Sequence, residues 1–164
     1  MKLKINGLGL SDEVASLLHA RGFQIEDCSG PDKEAFGNMV LILASSSSKL
    51  RLATDRGDML VDACPPQQET WVSFFQLVRE TNPEIYDEPN LRFRVPVNDI
   101  FIAALTTGWQ RLQRLLSLEC FEETRSRLAA RSREEFPRRL KANGFSEEAI
   151  QQLLRASDAK IAGC

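Results

Sequence analysis

At 164 residues, with a net charge of −2, an apolar share of 43% and a charged share of 27%, the chain suffices for one domain with a proper core and is short for two. That balance excludes a disordered, collagen-like or disulfide-dense protein. No run approaches the roughly 18 apolar residues that span a bilayer, and the start, MKLKINGLGLSDEV, turns polar too soon for a signal peptide. A cytoplasmic protein without a membrane partner is expected.

Along the chain, Ser11-Asp12-Glu13 opens a first helix. The serine can cap, the two acids favour the positive end of the helix dipole, and Val14, Leu17 and Leu18 supply an apolar stripe that Gly22 ends. Phe23 to Cys28 (FQIEDC) alternates with period two and predicts a half-buried strand, followed by turn residues Ser29-Gly30-Pro31-Asp32. Met39 to Ala44 is a short, continuous apolar run, suited to a central strand that leads into Ser45-Ser46-Ser47-Ser48.

Leu50 to Ala63, LRLATDRGDMLVDA, predicts a hairpin across Asp55-Arg56-Gly57-Asp58. Two registers are open. With Thr54 opposite Met59, Leu52 faces Val61 and Leu50 faces Ala63, while Arg51 meets Asp62 and Ala53 meets Leu60. A three-residue loop would pair Thr54 with Asp58, set Asp62 beside Leu50 and split the apolar set. The first register is preferred because it yields one apolar face and one cross-strand ion pair.

Pro65-Pro66 ends that strand. Trp71, Phe74, Phe75 and Val78 then fall at i, i+3, i+4 and i+7, predicting a helix from about Glu69 to Glu80 with three rings on its buried face. Leu91 to Val95 (LRFRV) alternates enough for a short fifth strand. From Asn98 onward the pattern is helical: Phe101, Leu105, Leu112, Leu115 and Leu116 recur, with Gly108 as a bend and Trp109 as an anchor. Leu118 to Ser132 and Glu134 to Ala142 read as two arginine-rich segments split near Pro137, and Gly144-Phe145-Ser146 precedes a last helix. The fold class is therefore α+β: a small, mainly antiparallel four- to five-stranded meander packed by helices over about residues 1–96, then an all-helical part over about 97–164, within one domain.

Few residues suggest chemistry. His19 is the sole histidine and has neither an orienting acid nor a nucleophile nearby. Cys28, Cys64, Cys120 and Cys164 are widely spaced without a CxxC pair, which fits reduced structural thiols better than zinc. Asp55, Asp58 and Asp62 match no calcium loop, and the serine tract lacks the Gly-Lys-Ser/Thr ending of a phosphate loop. Neither a metal nor a cofactor is expected, and no catalytic set stands out.

Charge is distributed unevenly. Residues 1–109 carry a net −5 and residues 110–164 a net +3. The arginines at 111, 114, 125, 127, 131, 133, 138 and 139 are interleaved with Glu119, Glu122, Glu123, Glu134 and Glu135, as on a solvated helix face. A nucleic-acid-associated regulator using them is the alternative reading, although nucleic-acid footprints tend to be more strongly basic. Leu140 to Leu154 also looks like the helix pairs of small ubiquitin-binding or recombinase-regulating modules, a pattern found in many unrelated folds.

An apolar strand, the turn Asp55-Arg56-Gly57, a strand ending in Val61-Asp62 and a helix led by Trp71 together resemble small bacterial immunity proteins of polymorphic-toxin and contact-dependent growth inhibition systems. The resemblance covers about Val40 to Val78. It implies a non-enzymatic protein that binds and neutralises a cognate toxin, with no catalytic residue carried over. Acids outside the expected core are the candidate contacts, because they could mimic phosphate charge toward a basic nuclease toxin: Glu26, Asp27, Asp55, Asp58, Glu84, Asp87 and Glu88. Two other classes stay open: a small enzyme using paired carboxylates, and a homodimer like the type III secretion chaperones, whose size and acidity overlap this chain's.

Overall fold

A computed structural model describes residues 8–30, 39–55, 58–82 and 96–162. Within them the chain forms five strands, β1 (Gln24–Ser29), β2 (Val40–Ala44), β3 (Lys49–Asp55), β4 (Asp58–Cys64) and β5 (Val72–Ser73), and six helices. The helices are α1 (Asp12–Ala20), α2 (Phe74–Thr81), α3 (Val97–Leu105), α4 (Trp109–Leu115), α5 (Leu118–Ala142) and α6 (Glu147–Ala162). The strands lie in chain order, β1-β2-β3-β4-β5, every neighbour antiparallel. The fold is thus α+β, with helices concentrated in the C-terminal part.

The β3–β4 hairpin takes the register with one apolar face: Leu50↔Ala63, Arg51↔Asp62, Leu52↔Val61, Ala53↔Leu60 and Thr54↔Met59, closing at Asp55↔Asp58. Opposed residues of an antiparallel pair share a face. Leu43, Leu50, Ala63 and Val72 therefore form one inward row and Leu41, Leu52 and Val61 the next, all buried. Each alternate residue points the other way, which is why β2 buries only Leu41 and Leu43 of its apolar run.

Helices cover the inward face. Phe74, Phe75, Leu77 and Val78 of α2 are buried, and Phe74 stacks on Phe101 of α3 with ring centres 4.9 Å apart. Trp109 closes the other side of the core edge-on to Phe23 at 5.9 Å, with the Arg21 guanidinium 5.5 Å from its ring centre. Arg21 also donates through Nε to the Leu105 carbonyl at 2.8 Å, tying the end of α1 to α3. Ser11 caps α1 as expected, accepting from the Val14 amide at 3.3 Å, and Gly22 takes a positive φ of 83° just after it.

Three expectations need correction. Strand β1 is exposed along its whole length instead of half-buried. Ile25 and Cys28 continue the two inward rows beside Leu43 and Leu41, but the covering helices do not extend to this edge, and Ile25 is 49% exposed. Helix α2 begins at Phe74 and not near Glu69, because residues 72 and 73 pair with β4 as the fifth strand. Its buried face consequently carries two rings, and Trp71 lies outside the helix. The arginine-rich segments form one continuous helix, α5, with Pro137 inside it. The possible strand at Leu91 to Val95 lies outside the described residues.

Candidate functional site

The side of the sheet facing away from the helices is built from the alternate residues of the same strands. Ile42, Arg51, Asp62 and Ser73 form one row across β2 to β5, and Val40, Ala53 and Leu60 form the next. Leu60 is 56% exposed, while Val40, Ile42 and Ala53 are half-buried. An apolar strip thus runs along this open face. Three charged or aromatic groups border it.

Arg51 is the centre of that border. Its guanidinium donates to the Asp62 carboxylate through Nη2 at 2.6 Å and Nε at 3.2 Å, and lies 4.9 Å from the Trp71 ring centre. Trp71 immediately precedes Val72, whose side chain is buried inward, so the backbone alternation of β5 places the indole outward, half-buried beside the guanidinium. The stack and the ion pair both hold the Arg51 guanidinium, and Trp and Arg are among the residue types enriched at binding hot spots. One row further, Lys49 meets Glu26 at 3.0 Å.

Of the acids singled out from the sequence, only Glu26 and Asp27 have described side chains. Glu26 is engaged by Lys49, and the Asp27 carboxylate accepts from the adjacent Cys28 amide at 2.8 Å. Asp55 and Asp58 face each other as the closing backbone pair of the hairpin, with side chains outside the described residues. Glu84, Asp87 and Glu88 also lie outside them. The β1 edge itself is interrupted by an irregular register between Ile25 and Asp27, with two acids beside it, a device that discourages edge-to-edge pairing.

Other groups weighed for chemistry are accounted for locally. The Ser45 hydroxyl accepts from the Ser47 and Ser48 amides at 3.3 and 3.1 Å, occupying donors that a phosphate would need. His19 is exposed in the last turn of α1. Burial pushes the Cys64 thiol up to about 11, and its Sγ donates to the Gln68 carbonyl at 3.2 Å, so it is held protonated at neutral pH. No cluster of histidine, cysteine and acids suited to a metal occurs among the described residues, and no helix is long and apolar enough to cross a membrane.

The arginine-rich helix pairs much of its charge along its own length, as its interleaved acids suggest, and also with α2. Arg127, Arg131, Glu135 and Arg139 repeat at four-residue spacing, forming a stripe on α5 that meets Arg79 and Glu80 of α2. Glu80 receives Arg127 at 3.3 Å and Arg131 at 3.0 Å; Glu135 receives Arg131 at 3.0 Å, Arg79 at 2.8 Å and Arg139 at 3.0 Å. Burial alone would raise the Glu135 carboxyl, but hydrogen bonds from Arg139, Arg79 and Arg131 outweigh it and lower the group to about 2. Of the eight candidate arginines, Arg125 also pairs with Glu122 and Arg111 donates to the Thr81 carbonyl at 3.0 Å. Five of the eight are therefore engaged within the molecule. Comparison with protein families, curated proteins and solved structures found no match to this chain.

Proposed function

We propose that the chain is a non-enzymatic protein-binding module, an immunity protein that neutralises a cognate bacterial toxin, and that the open sheet face receives the partner. The observation that carries this reading is the apolar strip of Val40, Ala53 and exposed Leu60 bordered by the fixed Arg51–Trp71 stack. Such a face combines area that gains from burial with a rigid aromatic and guanidinium anchor, and asks little ordering of its side chains on binding.

The alternatives fit less well. A nucleic-acid regulator would use free guanidinium groups, whereas five of the eight candidate arginines are tied to acids or a carbonyl of the same chain. A chaperone-like dimer joined through the exposed strand β1 would bring Glu26 and Asp27 of two copies together across an irregular edge.

The test is calorimetry and co-expression with the product of a toxin gene adjacent to this one. The reading expects a one-to-one complex and restored growth. A neighbouring toxin that neither binds nor loses toxicity would sink it.

A further inference from the structure

We propose that α5 beyond Leu128, together with α6, is a detachable arm held to α2 by an ionic latch of Arg79, Glu80, Arg127, Arg131, Glu135 and Arg139. The inference does not depend on the toxin reading, because it concerns how one part of the chain is fastened to another.

Three observations carry it. First, the kind of contact changes along α5. Phe121, Thr124 and Leu128 are buried against the body, but beyond Leu128 the only buried side chain among the described residues of α5 and α6 is Ile150. Ile150 stands outside the main core cluster and lies on α6, which packs against α5. The arm thus has its own small apolar seam. Along α5, buried side chains give way to ion pairs with α2.

Second, the latch holds more cations than anions. Four guanidinium groups share Glu80 and Glu135, with Glu123 reaching only Arg127 at 3.8 Å, and the Arg139 Nε is buried without an acceptor among the described residues. Glu135 is the hub, since three of the four arginines close on it. Removing its charge leaves Arg79 and Arg139 without a carboxylate partner among the described residues and Arg131 with Glu80 alone.

Third, the arm is soft where it must yield. Pro137 has no amide hydrogen, so α5 lacks one intrahelical hydrogen bond within the latch segment. Phe145 at 47% and Leu153 at 42% exposure leave the seam between α5 and α6 partly open. Regions with few buried apolar contacts open first, as separate cooperative units.

The test is hydrogen exchange of the full chain, read by segment, for the native protein, Glu135→Gln and Glu122→Gln. Among the described residues Glu122 pairs along α5 with Arg125 alone, and it serves as the control. Glu135→Gln should speed exchange over residues 131–155 by roughly tenfold or more while β2, β3 and β4 keep their protection. Glu122→Gln should change neither region. The charge swap Arg79→Glu with Glu135→Arg should recover part of the protection by placing the anion on α2. Unchanged exchange in Glu135→Gln, or a uniform rise through sheet and helices alike, would overturn the proposal.

Discussion

The two faces of this sheet are made from the same strands and have opposite environments. Leu50 and Leu52 of β3 are fully buried in the core, whereas Arg51 between them points to the open side and lies against Trp71. The inward residues are explained by burial alone. The outward ones are not needed to hold the core together, yet Arg51, Asp62 and Trp71 are arranged as one fixed group. The comparison separates what makes the fold from what is available for recognition, residue by residue along one strand.

Substitution on the covered face should have the largest effect. Leu52→Ala removes a fully buried side chain between Leu41 and Val61 and should cost about 2–5 kcal/mol of stability, measured by urea denaturation. A cost below 1 kcal/mol, about that of a surface change, would erase the distinction between the faces.

Next is the helical side of the core, where Gly108 has little room for a side chain. A Cβ there would stand 2.8 Å from Asn82 Nδ2 and 3.3 Å from the Ala104 Cα. Gly108→Ala should therefore destabilise by about 1–3 kcal/mol despite alanine's better helix propensity, with thermal melting as the readout. A raised melting temperature would show that Asn82 moves aside freely.

A smaller, localised effect belongs to the latch. Glu135 is depressed to about 2 from an ordinary 4.5, so its contribution is fully present above the ordinary carboxylate range and is lost as pH falls from about 4.5 through 2. NMR amide signals of residues 131–155 should weaken across that window with a midpoint that shifts in Glu135→Gln. Loss at the same pH in both proteins would assign the transition to other carboxylates.

Much of the covered face was legible from residue order because a one-residue slip would have turned Val61 and Ala63 outward and set Asp62 beside Leu50, which leaves a single acceptable hairpin register. The open face was partly hidden. Trp71 falls by coincidence at helical spacing from Phe74, Phe75 and Val78, and a two-residue strand at Val72–Ser73 is too short to display alternation. Likewise β1 alternates properly in sequence, but its burial depends on how far the helices extend across the sheet. The continuity of α5 through Pro137 was also unreadable locally, since the ion pairs that hold that stretch reach across to Arg79 and Glu80 of another helix.

The most direct test of the recognition claim is to change the open face alone. Leu60→Lys, at an exposed position, should leave the melting temperature within about 2 °C of the native value, as surface substitutions do, and, on the proposed toxin-binding reading, should weaken affinity for a cognate toxin at least tenfold in calorimetry. Native affinity in a well-folded Leu60→Lys protein would contradict the account and place the partner elsewhere on the molecule.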